Sequence, residues 1–386
     1  MVIDRYISKQ LAEYSMVGES DDALLCLSDS KLLNGSLNMV MRINNHSIHS
    51  RGFKQSISPK NQILVDSYYG LAYTGLPKDS AAVYGHTEDF PIDKINELAN
   101  HGYLRVPFKK IPRIKVESSE ELIEKVKIIE GFFGANELLF RGQNKEYLLN
   151  RTDSFKSTFY GDTDVYEPSL LPSSVRNDIW ADDYMPEWMM WVQLQQKTSI
   201  KQYEQSIPVS DEYSRQFRNS IFSEIERIWS TPKFYFYCLA LAQHYGLPSN
   251  GLDLTDDFST AMFFALNDFI KVDDTMMQVK PAKSKDSVLY LIKKEGQNEY
   301  NFLDSAPRLF QTGRPKNQGA YFFHSGWGLN MNAAANQIVA AIYFSNISFN
   351  FMPPIRHLFP NSEEDFIGRI LGTKRPRLWG RWVASG

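Results

Sequence analysis

The pattern of hydrophobic and polar residues becomes regular at Ser118 and predicts a helix from that point. Ser118 and Glu121 have the spacing of a capping box, in which a hydroxyl and a carboxylate bond the first free amides of a helix. The apolar residues after the cap recur at helical spacing, at Leu122, Val126 and Ile129. The helix is expected to end at the glycines 131 and 134.

A short apolar run after this helix predicts the first strand of a sheet. It reads LLFRGQ, Leu138–Gln143, so that three apolar residues precede Arg141 and Gly142. A later helix is predicted over residues 233–244, and Gly246 suits a left-handed C-cap just beyond its end. The sequence thus brings a guanidinium and a glycine to the end of one predicted strand.

Helices and short strands alternate through the rest of the chain. One helical stripe is expected to face the core, and its members are Tyr213, Phe217, Ile221, Ile225 and Ile228. Residues 251–266 predict a strand, a turn rich in aspartate and an Ala/Phe-rich helix. Residues 287–292 and 337–345 predict two further strands. This alternation predicts an α+β fold.

Residues 1–115 differ from the remainder. Their predicted strands are short and broken by Asn, Gly and Ser, and they contain no catalytic pattern. At about 150 residues per domain, a chain of 386 residues is expected to form two or three domains. We therefore expect an accessory or partner-binding domain over 1–115 and a second domain over 116–386 that ends in a basic tail.

Composition narrows the class of protein. The net charge is −3, so any contact with a polyanion requires a local basic patch. The two cysteines, Cys26 and Cys238, are too few for a disulfide framework or a cysteine zinc site. Neither a signal-peptide pattern nor an apolar run of about 20 residues occurs, so a cytoplasmic protein without membrane contact is expected.

Several common active-site motifs are missing. The sequence has no Walker-type phosphate loop, no GxSxG and no HExxH, and its seven histidines lack metal-ligand spacing. A hydrolase of a common kind is disfavoured, and no metal site is predicted.

Short polar motifs that interrupt the apolar segments resemble the motifs of a known family. The chain resembles the FRG-domain family, named for a Phe-Arg-Gly motif, over roughly residues 118–372. It departs from the family pattern at Ser249 and Asn250, where Thr-Arg is usual, and at Leu254, where Trp is usual. The matching segments are Phe140–Gln143, LPSSVR ending at Arg176, AQHYGLPSNGLDLT at 242–255, Gln318-Gly319 before aromatic residues, and LFP at 358–360.

The Arg-Gly pair also looks like the first strand of ADP-ribosyltransferases, where such a pair grips the nicotinamide end of NAD. Gly142 would let a ligand approach the backbone, and Arg141 would offer a planar fork to phosphate or ribose. This resemblance implies a small split sheet, mixed or antiparallel, with helices around it. It implies NAD as the substrate that occupies the cleft.

The two resemblances imply a set of site residues. Arg141, Asp253 and Gln318 are expected to be catalytic, with Asp253 as the base and Gln318 holding the nicotinamide ribose. The residues expected to bind NAD are Arg141, Gly142, Gln143, His244, Tyr245 and Thr255.

Structural alternatives stand beside these roles. Arg141 would equally serve as a structural arginine paired with Asp253, and His244 as a cap of its helix. Thr255 would simply begin a turn. Arg314 and Lys316 are interpreted as a solvated loop, although they would also steer a polyanion.

The expected function is transfer of ADP-ribose from NAD to RNA, DNA or protein, in a bacterial toxin or phage-defence effector. An antitoxin or a regulatory protein is a possible partner. The alternative is a non-catalytic module that binds a nucleotide or nucleic acid; a nuclease that uses His244 and Asp253 is a more distant one. The tail at 373–386 carries Trp379 and Trp382 among basic residues, and either packs on the body or contacts nucleic acid.

Overall fold

The computed structural model describes residues 63–66, 71–74, 113–149, 153, 163, 167–177, 181–206, 211–271, 277–282, 287–296, 298–306, 310, 313–325, 332–360 and 365. The basic tail lies outside these residues. So does most of the expected N-terminal domain, of which an antiparallel hairpin is described, β1 (Ile63–Asp66) with β2 (Leu71–Thr74). A separate domain over 1–115 stays a prediction.

The described helices begin and end as follows: α1 (Ser119–Phe133), α2 (Ser173–Asn177), α3 (Ala181–Ser206), α4 (Glu212–Trp229), α5 (Pro232–His244), α6 (Phe258–Leu266), α7 (Phe302–Ser305), α8 (Arg314–Asn317) and α9 (Ile355–Leu358). The remaining strands are β3 (Arg113–Val116), β4 (Leu138–Gln143), β5 (Gly251–Thr255), β6 (Asn267–Lys271), β7 (Met277–Pro281), β8 (Ser287–Lys293), β9 (Glu299–Asn301), β10 (Ala320–His324) and β11 (Ile338–Phe344). Within the described residues, none of these helices is long and apolar enough to span a membrane.

A seven-stranded mixed sheet organises the fold, which confirms the α+β prediction. Its strand order is β3-β11-β8-β4-β5-β10-β9, and β3 runs parallel to β11 while the other neighbours are antiparallel. Between the described strands β4 and β5, a single position pairs, Phe140 with Thr255. The sheet therefore has two halves, β3-β11-β8-β4 and β5-β10-β9, joined at a narrow junction.

Helix α1 forms where the sequence predicts it. The Ser118 hydroxyl accepts a hydrogen bond from the amide of Glu121 at 3.1 Å, and the three stripe residues are buried. The helix continues through Gly131 and ends at Phe133, because Gly134 has a φ of +91°, a conformation that favours glycine. The stripe packs on the first half of the sheet, together with α6.

The stripe predicted for α4 is only partly buried. Ile225 lies in the core formed with α3 and α5. Tyr213 is 79% exposed, so the expectation that it faces the core is wrong. It lies in the first turn of the helix, just after the cap at Asp211, and helical spacing alone does not show how far the neighbouring helices reach.

Candidate functional site

The junction between the two halves of the sheet brings a guanidinium and a carboxylate together. Arg141 Nη1 donates a hydrogen bond to the main-chain oxygen of Asp253 at 2.5 Å. The side chain of the same aspartate has a second neighbour, because His244 Nε2 lies 3.6 Å from Asp253 Oδ1. Three residues predicted from the sequence therefore meet where β4 and β5 separate.

Helix α5 delivers His244 to this point. Its last carbonyls are bonded by the main-chain amides of Tyr245, Gly246 and Leu247, and Gly246 has a φ of +89°. The predicted glycine C-cap is confirmed, and the imidazole is not needed to cap the helix. The side chain of His244 is buried, at 3% exposure, while that of Asp253 is about one-third exposed, at 36%.

The turn after α5 is fixed by contacts with the LPSSVR segment. Ser173 Oγ donates to Gln243 Oε1 at 2.9 Å and accepts from the amide of Ser249 at 3.0 Å. Ser249 Oγ also donates to Gln243 Oε1, at 2.7 Å. Two motifs that are about 70 residues apart in sequence are thus bonded to each other, with Arg176 one helical turn beyond Ser173.

A second arginine approaches from α8. The guanidinium carbon of Arg314 lies 4.4 Å from the ring centre of Phe359. Tyr245 donates from its hydroxyl to Asp365 Oδ1 at 2.6 Å, and a Cβ on Gly313 would lie 2.6 Å from the same oxygen. Arg314 is not part of a solvated loop, because it begins helix α8 and its half-buried side chain packs on Phe359; Lys316 is exposed, as expected.

Burial controls the protonation of this cluster. Burial lowers the pKa of His244, Asp253 offsets part of this effect, and Arg314 adds to it. The imidazole is therefore neutral at neutral pH. Burial also lowers the pKa of Arg141, an effect that Asp253 opposes and Arg176 reinforces. Burial lowers the pKa of Arg314 as well. Arg141 and Arg314 nevertheless remain charged, since an arginine starts from a pKa above 12.

Several buried polar atoms converge here without a hydrogen-bond partner among the described residues. Leaving such an atom unpaired costs about 1–3 kcal/mol, and a group of them marks a place built for more than packing. Tyr290 belongs to the group because it lies opposite Arg141 on β8. The atoms are Arg141 Nε, Gln143 Oε1, His244 Nε2, Asp253 Oδ1, Tyr290 Oη and Arg314 Nε.

Gly142 has a structural explanation. A Cβ at this position would lie 1.8 Å from the carbonyl oxygen of Ala261 in α6. Neighbouring residues of a strand point to opposite faces, so Gly142 faces α6 while Arg141 faces the other side. Close packing of α6 thus accounts for the glycine, and a role for it in NAD binding stays a prediction.

Gln318 and Thr255 also have structural contacts. Gln318 Nε2 donates to the main-chain oxygen of Leu358 at 3.0 Å, and its own main-chain oxygen accepts from Thr255 Oγ1 at 2.7 Å. Thr255 Oγ1 accepts from the amide of Asp257, which caps α6. The alternative that Thr255 begins a turn is confirmed, and the ribose contact assigned to Gln318 stays a prediction.

Sequence reasoning missed Tyr290 and Asp365. Tyr290 is a polar-tipped residue in the aliphatic strand β8, which would have been a usable signal. Asp365 lies among other acidic residues and gives no such signal. Among the residues that the structure describes, no three His, Cys, Asp or Glu side chains are grouped to hold a metal ion.

Comparison with known proteins identifies one segment. Residues 136–274 match the family model of the FRG domain. No curated protein and no solved structure matches the chain. The match includes Arg141, Arg176, His244 and Asp253, whereas Arg314 and Asp365 lie beyond it. The chain therefore carries an FRG domain at residues 136–274.

Proposed function

We propose that the junction site binds NAD and that the protein transfers ADP-ribose from NAD to a macromolecule. The convergence of unpartnered buried atoms from Arg141, His244, Asp253 and Arg314 carries this proposal. These atoms offer both donors and acceptors, as a nucleotide requires. The narrow junction between the two halves of the sheet also supports an ADP-ribosyltransferase-like core.

The charges near the junction favour an anionic ligand. Arg141 and Arg314 remain protonated in a partly buried site, and Arg176 is near enough to influence Arg141. The negative charges of Asp253 and Asp365 offset part of this positive charge. A planar guanidinium binds phosphate oxygens through two parallel hydrogen bonds, so the arginines suit the diphosphate of NAD.

The proposed reaction relies on position and charge. The bond between ribose C1′ and the nicotinamide nitrogen breaks, and its electron pair leaves with neutral nicotinamide. A lone pair of the acceptor forms the new bond to C1′, and the acceptor proton passes to the Asp253 carboxylate. His244 Nε2 lies 3.6 Å from that carboxylate, and the fixed dipoles and charges of the site stabilise the developing cation.

The test is incubation of a cell lysate with labelled NAD and the protein. Wild type should label macromolecules, and Arg141→Ala should abolish labelling. Arg141→Lys should also label poorly, because lysine keeps the charge but lacks the fork. The matched control is Arg215→Ala, since Arg215 is an exposed arginine on α4; it should label as wild type does. Equal labelling by wild type and Arg141→Ala would refute the proposal.

A binding module without catalysis is the second candidate. It is favoured by the contacts of Gln318, whose amide is already bonded to the chain and whose side chain cannot act as a base at neutral pH. This candidate predicts NAD binding that depends on Arg141, with neither labelling nor release of nicotinamide. Release of nicotinamide that Asp253→Asn suppresses would reject it.

A further inference from the structure

A basic hollow lies next to the junction site, on the outer side of α8. Its volume is about 510 Å³, and it opens widely to solvent. None of the described residues that line it is acidic. Its walls include Lys316, Asn317, Pro354, Arg356, His357 and Pro360. In a chain whose net charge is −3, such a surface attracts an anion locally.

The walls of this basic hollow are held by hydrogen bonds and ring contacts. Asn317 Nδ2 donates to the main-chain oxygen of His357 at 2.8 Å, and the Gln318 amide bonds Leu358. Arg314 packs on Phe359, one residue before the end of the wall. Helices α8 and α9 therefore form one unit, and the hollow exists before any ligand binds.

Helix α8 separates the basic hollow from the junction site by a single turn. Its first residue, Arg314, enters the buried cluster with Tyr245 and Asp365, whereas Lys316 faces the hollow. A macromolecule held in the hollow would therefore lie beside the site where we place NAD.

Exposed apolar side chains adjoin the basic hollow. Phe351 is 72% exposed, and Met352 and Ile355 are also exposed. Because a residue spans at most about 3.6 Å, the Cα of Phe351 lies within about 11 Å of that of Pro354 in the hollow wall. Phe351 contacts Phe349, whose ring is 6.0 Å away and buried, so an anchored aromatic ring stands in solvent three residues before Pro354 in the wall of the basic hollow.

We propose that the basic hollow and Phe351 bind single-stranded nucleic acid. Lys316 and Arg356 contact phosphates, and Phe351 stacks on an unpaired base. Cations that follow the backbone, together with an exposed ring, are the means by which proteins hold single strands with little sequence preference. A duplex offers no unpaired base to the ring. The further step, that this strand is the acceptor of ADP-ribose, rests on the proposed function.

Fluorescence anisotropy of the full chain with labelled single-stranded RNA and DNA tests the binding. The double variant K316E/R356E should weaken binding at least about tenfold, and the slope of log K against log salt should fall by about 1.4, at about 0.7 per phosphate contact. Phe351→Ala should weaken binding about tenfold through loss of stacking. Lys233→Glu is the charge control, because it lies on α5 about 16 Å along the axis from His244, and it should bind as wild type does.

Competing ligands distinguish this proposal from others. Equal binding by wild type and K316E/R356E, or no binding of single strands at low salt, would overturn it. Tighter binding to duplex DNA, to a phosphopeptide or to phosphatidylserine vesicles would overturn it as well. Arg141→Ala should keep nucleic-acid binding while it loses NAD binding. Failure of NAD turnover alone thus counts against the proposed function, and failure of strand binding alone counts against this inference.

Discussion

Arg113 and Arg141 lie in one row across the same sheet, yet their surroundings differ completely. The row runs from Arg113 on β3 through Ala341 and Tyr290 to Arg141 on β4. Arg113 bonds both oxygens of Glu146 at 3.0 Å and stacks on Tyr343. Arg141 bonds a main-chain carbonyl and leaves its buried Nε unpartnered.

The pKa values respond to this difference. Burial by itself would lower the pKa of Arg113, but Tyr343 and Glu146 raise it above its ordinary value. At Arg141 burial prevails over the attraction of Asp253, and its pKa is lowered. A structural arginine has its hydrogen-bond partners within the fold. Arg141 instead has a buried donor without a partner, which lowers the free energy of unfolding. Arg113 is therefore a structural arginine, whereas the unpartnered Nε of Arg141 supports the proposed role of Arg141 in binding.

The largest expected effect concerns the residue next to Arg141. Gly142→Ala would place a methyl group 1.8 Å from the Ala261 oxygen, and α6 would have to move away from β4. We expect a loss of about 3 kcal/mol in the free energy of unfolding, measured by urea denaturation. Gly131→Ala is the control, since a Cβ there meets nothing within 4 Å. An unchanged stability of Gly142→Ala would show that the glycine is there for a ligand.

The second-largest loss of stability should follow removal of Arg113, the arginine that is paired with Glu146. Arg113→Ala leaves the Glu146 carboxylate without its bidentate partner, so we expect unfolding to become easier by about 2–3 kcal/mol. Arg141→Ala should lower stability by less than about 1 kcal/mol, because it removes one hydrogen bond and an unpartnered donor. The urea midpoints of both variants give the comparison. A greater loss from Arg141→Ala would make Arg141 the structural arginine.

A buried imidazole that is not among the atoms of the cluster limits the rule that unpartnered buried atoms mark a site. His324 Nε2 is buried without a partner among the described residues, close to the rings of Phe236 and Phe322. Burial lowers its pKa to about 4. Between about pH 6.5 and 4 the unfolded chain binds the proton and the folded chain does not, so stability falls as the pH falls through this window.

We expect this histidine to cost about 2 kcal/mol at pH 4 relative to pH 7, after allowance for its partial exposure. Urea denaturation at the two pH values measures the loss. His324→Phe, which keeps an aromatic ring, should reduce it and should leave NAD binding unchanged. If NAD binding falls in this variant, unpartnered atoms outside the junction also belong to the site.

The smallest expected effect concerns Tyr290, which lies between Arg113 and Arg141 in the row across the sheet. Tyr290→Phe removes a buried hydroxyl that lacks a partner, so stability should stay equal or rise by up to about 1 kcal/mol. NAD should bind about fivefold more weakly if that hydroxyl contacts the ligand. Calorimetric titration with NAD and thermal unfolding measure the two effects. Weaker NAD binding together with lower stability would instead indicate a structural hydroxyl.

Local features of the fold could be predicted from the sequence. The cap at Ser118, the strand Leu138–Gln143 and the C-cap at Gly246 each depend on residues within a few positions of one another. The contacts that stabilise them can therefore be predicted from a short segment of sequence. The exposure of Tyr213 was not visible in this way, because it depends on where α3 and α5 lie.

The candidate site was predictable only where a motif marks it. Arg141 and Asp253 are 112 residues apart, and the family pattern, rather than any periodicity, related them. Arg314 and Tyr290 became part of the cluster through tertiary packing. The true neighbour of Gly142 is a carbonyl of α6, which no local pattern indicates.

Calorimetric titration of NAD into wild type, Arg141→Ala and Arg215→Ala measures whether Arg141 binds NAD. We expect wild type and Arg215→Ala to bind NAD with the same affinity. Arg141→Ala should show no binding heat, although its unfolding curve shows that it is folded. Equal NAD affinity in all three proteins, or no NAD binding by wild type, would contradict the assignment of Arg141 as the binding arginine.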